Sequence, residues 1–147
     1  MHTEGLGETE ISDTEYAQLL EFRDGIRRFL HWSEDQARAV GLTAAQHQLL
    51  LAIRGHRAET GEDAPPLPPT VGDVAAHLLL RHHSAVELVG RALAAGLIDK
   101  IADNTDHRVV RLQLSDDGER RLAALSRQHV EELRRLAPRL KPLWAGL

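Results

Sequence analysis

Residues 81–100 read RHHSAVELVGRALAAGLIDK, and this stretch decides the fold. It opens with a cation and two histidines, continues as an amphipathic helix and ends at Gly96, which suits a left-handed helix cap. The preceding segment, VGDVAAHLLL, predicts a short helix that ends near Leu79. Because so few residues separate the two helices, they must turn sharply against each other.

The next segment predicts a β-hairpin. LIDKI (97–101) and VVRLQL (109–114) flank the polar stretch ADNTDHR. Val110, Leu112 and Leu114 alternate with polar residues, which is typical of a strand with one buried face. A helix pair followed by a hairpin is therefore expected across the middle of the chain.

Further helices are predicted on both sides of this middle region, each behind a residue that commonly caps helix N-termini: Ser12 or Asp13, Thr43, Thr70 and Ser115. The first helix is expected to run over 12–40 and to end at Gly41. Four prolines in the segment 61–69 make it a loop. Pro138 and Pro142 are expected to bend or end the last helix, which would then be short.

Composition excludes several classes of protein. The 147 residues include no cysteine, which rules out disulfides, thiolate nucleophiles and cysteine-type zinc sites. No signal segment and no apolar run long enough to span a bilayer is present, so we expect a cytoplasmic chain with no membrane partner. No Ser-His-Asp order, phosphate-cradling glycine loop or paired-carboxylate pocket stands out, so neither an enzyme nor a cofactor is expected.

The net charge of −4 is unevenly distributed along the chain. Residues 1–24 hold seven acidic residues and one basic residue, a local charge of −6. The remainder holds 17 basic and 15 acidic residues, a charge of +2, together with eight of the nine histidines. A mildly positive remainder permits phosphate binding.

The order of these elements resembles the MarR family of winged helix-turn-helix transcriptional regulators. The matching segments are LTAAQHQLLLAI (42–53), TVGDVAAHL (70–78), HSAVELVGRALAAGLI (83–98) and DHRVVRLQLSDDG (106–118). The hairpin is the most specific match, because the family places Asp-x-Arg at the wing tip and Leu-Thr or Leu-Ser, two residues and Gly after it. Those positions hold Asp106, Arg108, Leu114, Ser115 and Gly118 here.

Two positions depart from the family pattern. The family commonly has several small hydroxyl residues at the start of the recognition helix, where this chain has Arg81, His82 and His83 before a single Ser84. It also commonly has Val-Asp-Arg in mid-helix, where this chain has Gly90 in place of the aspartate.

The resemblance implies a mainly α fold with a small β-hairpin wing, in which a winged helix-turn-helix is flanked by N- and C-terminal dimerisation helices. We expect a flexible segment over 1–11, a first dimerisation helix over 12–40, the DNA-binding region over 41–114 and C-terminal dimerisation helices over 115–147. The recognition helix would span 82–95 and the wing 97–114.

Double-stranded DNA is the expected partner. Side chains from the first turns of a recognition helix can enter the major groove, and a wing-tip arginine can reach a minor groove. Asp106, two residues from Arg108, is expected to hold the guanidinium of that arginine in place. The candidate DNA-binding residues are Thr70, Arg81, His82, His83, Ser84, Glu87, Arg91, Asp106, His107 and Arg108.

Two other interpretations stay open for this region. His77, His82 and His83 are close in sequence, but adjacent helical residues diverge by about 100° and no HExxH-type pair appears, so no metal is expected. The winged helix could instead dock an acidic protein partner without sequence-specific DNA binding.

The ends of the chain suggest a homodimer and an effector site. The apolar residues that the middle region does not need are Tyr16, Leu19, Leu20, Leu136, Leu140, Leu143 and Trp144. In the resembled family the two termini intertwine to form the dimer, and many members bind a small aromatic or anionic molecule. Candidate ligand-binding residues here are His31, Trp32 and His47.

Within the recognition helix, Val86, Val89 and Leu93 are predicted to face inward.

Overall fold

Regular elements follow one another closely in the computed structural model, which describes residues 9–57 and 67–145. Their order is α1 (Asp13–Ala39), α2 (Ala44–Gly55), α3 (Val71–Leu78), α4 (His82–Ala94), β1 (Ile98–Ala102), β2 (Val110–Leu114) and α5 (Asp116–Trp144). The predicted mainly α fold with a small hairpin wing is confirmed. The expectations for residues 1–8 and for residues 61–66 lie outside the described part of the chain.

The helices begin where the cap residues predicted. The Thr43 hydroxyl accepts from the Gln46 amide at 3.1 Å, while the Gln46 side chain accepts from the Thr43 amide at 3.0 Å. Thr70 and Asp73 make the same reciprocal pair at the start of α3. Each pair satisfies two amides that a helix N-terminus leaves open, so these boundaries are set locally.

The turn between α3 and α4 is made by a strained leucine. Leu79 adopts a left-handed conformation (φ 54°, ψ 40°), and its N–H is directed at the carbonyls of Ala75 and Ala76. This geometry ends α3 and lets α4 begin three residues later. The sharp turn predicted from the sequence is therefore present, although a leucine and not a glycine makes it.

The wing is a two-stranded antiparallel sheet in which Ile98 pairs with Leu114 and Ala102 with Val110. Gly118 follows it in the first turn of α5, where an added Cβ would lie 2.1 Å from the carbonyl oxygen of Leu97. This close approach explains the glycine at that position, since any larger residue would push α5 away from the base of the wing.

The chain divides into two compact units. One comprises residues 33–129 and contains α2, α3, α4 and the wing; its core is almost entirely aliphatic, including Leu49, Leu50, Val74, Ile98 and Leu112. The described residues of the other unit are 9–32 and 130–145, most of α1 and the second half of α5.

The last helix corrects one expectation. α5 is continuous over 29 residues and includes Pro138 and Pro142, so it is neither short nor ended by the prolines. Each proline removes one amide donor without ending the helix. Near these prolines α5 approaches α1 closely, since a Cβ added to Gly25 would lie 3.2 Å from Leu140. None of the described helices is long and apolar enough to cross a membrane.

Candidate nucleic-acid interface

The start of α4 has no side-chain cap. Arg81 precedes the helix in an extended conformation (φ −67°, ψ 152°), and its side chain makes no cap hydrogen bond. The first amides of α4 therefore keep unpaired N–H groups, where the helix dipole also places partial positive charge. His82 and His83 are exposed beside these amides, and Ser84 is half-buried. The N–H groups at this end of α4 can donate hydrogen bonds to an acceptor such as a phosphate oxygen.

The outward face of α4 continues through Glu87 and Arg91, both exposed. The inward face consists of Ala85, Val89 and Ala92. Val86 is 47% exposed, so the prediction that it faces inward is wrong. The core-facing residues follow a spacing of three and four, and Val86 lies one residue, or about 100°, away from that line.

The wing-tip arginine is paired with an aspartate. Nε and Nη2 of Arg108 donate to the two carboxylate oxygens of Asp106 at 3.2 and 3.3 Å, and its backbone N–H donates to the same carboxylate at 3.0 Å. These bonds lower the pKa of Asp106, the side-chain bond more than the backbone bond. The Arg108 side chain is nonetheless 91% exposed. His107 is exposed next to it.

A second ion pair, which the sequence reasoning missed, stabilises the wing from within. Nε of Arg111 donates to the carboxylate of Asp103 at 2.7 Å, and both side chains are largely buried. The guanidinium also donates to the carbonyl of Pro68 at 2.8 Å. The same carboxylate accepts from the Thr105 hydroxyl and from the amides of Thr105 and Asp106.

This network holds the pKa of Asp103 far below its ordinary value, mainly through the Arg111 guanidinium and next through the Thr105 hydroxyl. An aspartate that bonds to amides two and three residues ahead is a common turn-forming pattern, so the segment DNTD was the available signal. The partner Arg111 could not be inferred, because the pair forms only after the strands align.

Thr70 lies at the junction of the wing and α3. Its hydroxyl accepts from the Asp73 amide, and its backbone forms an isolated bridge with Arg111. The side chain proposed for DNA contact is thus also engaged in capping α3.

Two histidines that the sequence did not lead us to pair connect the end of α2 with α3. His56 Nδ1 is 2.9 Å from His77 Nε2, and His56 Nε2 is 3.8 Å from the Asp73 carboxylate. Within residues 9–57 and 67–145, no three His, Asp or Glu side chains converge as metal ligands would. The pair joins the end of one helix to the last turn of the next.

The three candidate ligand-binding residues fall in different places. His31 is exposed on α1, and Trp32 lines a cleft of about 630 Å³ between α1 and α5. Both belong to the unit that contains the two chain ends, whereas His47 belongs to the winged unit. The cleft also contains Phe29 and three arginines: Arg28, Arg135 and Arg139.

His47 is buried against His129, with ring centroids 4.8 Å apart. His129 lies 2.6 Å from the Ser33 hydroxyl through Nε2 and 2.7 Å from the Leu125 carbonyl through Nδ1. Burial, and then the neighbouring His129 ring, lowers the pKa of His47. This environment favours a neutral imidazole.

Residues 40–109 match the sequence model of the MarR family. This range contains α2, α3, α4, β1 and the wing tip. Among curated protein sequences, none matches the chain.

Several solved structures share the fold. AbsC, a MarR family transcriptional regulator from Streptomyces coelicolor, is 20% identical, with a TM-score of 0.65 over 86% of this chain and 80% of AbsC. A mutant of MepR from Staphylococcus aureus, bound to an oligodeoxyribonucleotide, is 19% identical, with a TM-score of 0.61 over 88% and 84% of the two chains. CouR from Rhodococcus jostii, bound to p-coumaroyl-CoA, is 19% identical, with a TM-score of 0.60 over 80% and 74%.

Proposed function

Because residues 40–109 match the MarR family model, we propose that the chain is a member of that family and a homodimeric transcriptional regulator that binds palindromic double-stranded DNA. The observation that carries the proposal is the wing tip, where Asp106 holds an otherwise fully exposed Arg108. A guanidinium held in place loses less conformational entropy when it binds, so it suits insertion into a narrow groove. A cytoplasmic location belongs to the same proposal, because such a regulator acts where the DNA is.

Different residues of α4 would contact the phosphates and the base edges of the DNA. The uncapped amides and His82 and His83 would contact phosphates, and Arg81 and Glu87 would read base edges as donor and acceptor. The solved MepR mutant supports DNA binding by this fold, because it was bound to an oligodeoxyribonucleotide. Arg91, farther along the same exposed face, would contact the backbone.

A second copy of the chain would cover the arms formed by α1 and α5. No described residue in 9–32 or 130–145 is fully buried. Large apolar side chains are exposed on both helices, namely Tyr16, Leu19, Leu20, Ile26, Leu30, Val130 and Leu133. Leu136, Leu140 and Leu143 are half-buried, and the side chain of Trp144 lies outside the described part. A symmetric dimer removes such surface from water and presents two wings to two half-sites.

A small aromatic or anionic effector completes the proposal. The cleft beside Trp32 is lined by two aromatic rings, three arginines and two glutamates, Glu21 and Glu132, the second of which pairs with Arg135. The aromatic rings and the excess of one positive charge suit a flat molecule with a negative group. The solved CouR structure supports this class of ligand, since it contains p-coumaroyl-CoA.

The test is a fluorescence-polarisation titration of the whole chain against labelled duplexes from the DNA that flanks its own gene. We expect saturable binding to one fragment, with log K falling by about 0.9 for each phosphate contacted as log salt rises. Arg108→Ala should weaken binding by about fivefold or more, and Arg81→Ala or His83→Ala should also change the preferred sequence.

Arg127→Ala is the matched control, because Arg127 is an exposed arginine on α5 outside α4 and the wing. It should bind as the wild type does. If no fragment is bound, or if Arg108→Ala and Arg81→Ala both keep full affinity, the winged unit is a protein-docking module instead.

A further inference from the structure

Two exposed residues of α4, Val86 and Gly90, lie outside its buried face. Val86 is 47% exposed. Gly90 is exposed as well, and a Cβ added to it would meet no atom within 4 Å. The buried residues of this helix are Ala85, Val89 and Ala92, and Val86 lies about 100° around the helix from Ala85.

Both residues make α4 less stable than simple alternatives would. A glycine inside a helix costs about 1 kcal/mol relative to alanine, and nothing around Gly90 excludes a methyl group. A β-branched valine loses rotamer freedom in a helix and gains little from burial when it is half exposed. Among the described residues, no neighbour of Gly90 accounts for the absence of a side chain there.

The positions of the two residues are related. They are four apart, so they lie one turn from each other on the same face of α4. His82 and His83 precede Val86 on that face, and Glu87 and Arg91 flank it. Together Val86 and Gly90 form a small apolar patch, in which the absence of a side chain at Gly90 leaves open space. The polar groups near this patch suit phosphates and base edges.

We infer that Val86 and Gly90 form a contact site for the 5-methyl group of a thymine in the major groove. The thymine methyl is the apolar feature of that groove, and small apolar side chains recognise it. The valine supplies the methyl contact, and the absence of a side chain at position 90 lets the helix backbone approach the base edges closely. This inference rests on the proposed DNA binding and adds to it the base feature that is read.

A protein partner is the alternative occupant, because Leu79 and Leu80 are also exposed near the start of α4. DNA is favoured by the polar groups one turn before the valine: His82 and His83 lie there beside helix amides that the Arg81 side chain does not cap, whereas an apolar protein interface has an apolar centre.

The experiment uses the duplex that the wild-type chain binds, with each thymine replaced in turn by deoxyuridine, which lacks only the methyl group. We expect one thymine in each half-site at which the replacement weakens binding about threefold to fivefold, the value of one buried methyl group. Val86→Ala should weaken binding to the thymine duplex by a similar factor and should bind the thymine and deoxyuridine duplexes almost equally.

The substitution Gly90→Ala distinguishes an effect on the approach of the α4 backbone to the bases from an effect on the stability of the helix. It should raise the melting temperature of the free protein while weakening binding to the same duplex at least about threefold, since the added methyl group holds the helix away from the bases. A merely structural glycine would change the melting temperature alone.

The outcomes distinguish this inference from the proposed function. If the wild type binds a duplex but no deoxyuridine replacement matters, or if Val86→Ala keeps the full preference for thymine, the methyl contact is wrong and DNA binding stands. If Gly90→Ala binds as tightly as the wild type, the close approach is wrong. If the wild type binds no duplex, both proposals fail, and the apolar patch belongs to a protein interface.

Discussion

Leu79 holds a left-handed backbone conformation that leucine adopts only at a cost, and its side chain is 92% exposed. The cost is about 1 kcal/mol, and no burial offsets it. Glycine adopts this conformation freely, so Leu79→Gly should raise the stability of the free chain by about 0.5–1 kcal/mol in urea unfolding. Leu80→Gly is the matched control, since Leu80 is also exposed but does not have a positive φ; that change should lower stability. If the two substitutions change the stability equally, the left-handed conformation of Leu79 does not cost stability.

Single residues show where sequence patterns succeed and fail. The cap residues Thr43 and Thr70 could be predicted because their partners are three residues away, so the bonds depend on local geometry alone. Val86 could not be placed, because its neighbours Ala85 and Leu88 offered an equally apolar line. Only the packing of α4 decided which line faces the core.

The wing as an element depends on the ion pair between Asp103 and Arg111. Asp103→Asn should lower the melting temperature and weaken DNA binding, because the amide cannot neutralise the largely buried guanidinium. Asp99→Asn is the control on β1, where the side chain is exposed and the substitution should have little effect. If Asp103→Asn melts and binds as the wild type does, the pair does not support the wing.

The same pair gives the wing an acid-sensitive stability. The pKa of Asp103 is lower in the folded chain than its ordinary value of 3.8. Its contribution is therefore complete above pH 3.8 and is lost as the pH falls below that value toward the folded-state pKa. At neutral pH the wing keeps this contribution in full.

The contact between α2 and α5 depends on pH in the neutral range through His47. Its pKa is lower in the folded chain than the ordinary value of 6.5 because it is buried and faces His129. The unfolded chain thus takes up a proton first as the pH falls through 6.5, so the free energy of unfolding is complete above that pH and decreases below it. His47→Gln should reduce the loss of melting temperature between about pH 7.5 and pH 5.5. Identical losses in the two proteins would show that His47 does not titrate on unfolding.

The order of the elements was predictable, but the wing's internal bonds were not. Alternation of Val110, Leu112 and Leu114 indicated the second strand, and Gly96 (φ 71°) marked the end of α4. The pairing of Arg111 with Asp103 depends on the strand register, which sequence spacing does not determine. The continuity of α5 through Pro138 and Pro142 was likewise not predictable, because prolines commonly end a helix.

At the scale of the whole molecule, the chain leaves its two ends incomplete. The winged unit contains every fully buried apolar residue among those described, whereas the arms expose Tyr16, Leu19 and Leu20 at 61%, 58% and 60%. The sequence indicated surplus apolar residues at both ends. The resemblance to a dimeric family implies that a second copy of the chain covers them. In the proposed two-fold dimer, the second copy would cover the arms and would set two recognition helices at the spacing of palindromic half-sites.

The masses of the free protein and of its DNA complex test the proposed dimer most directly. Light scattering after size-exclusion chromatography should give twice the chain mass of 16.3 kDa for the free protein and two chains for each bound duplex. Changing Leu19 and Leu20 together to glutamate should give single chains that bind the duplex much more weakly. A wild-type mass of one chain at micromolar concentration, or one chain per duplex at full affinity, would contradict the dimeric regulator.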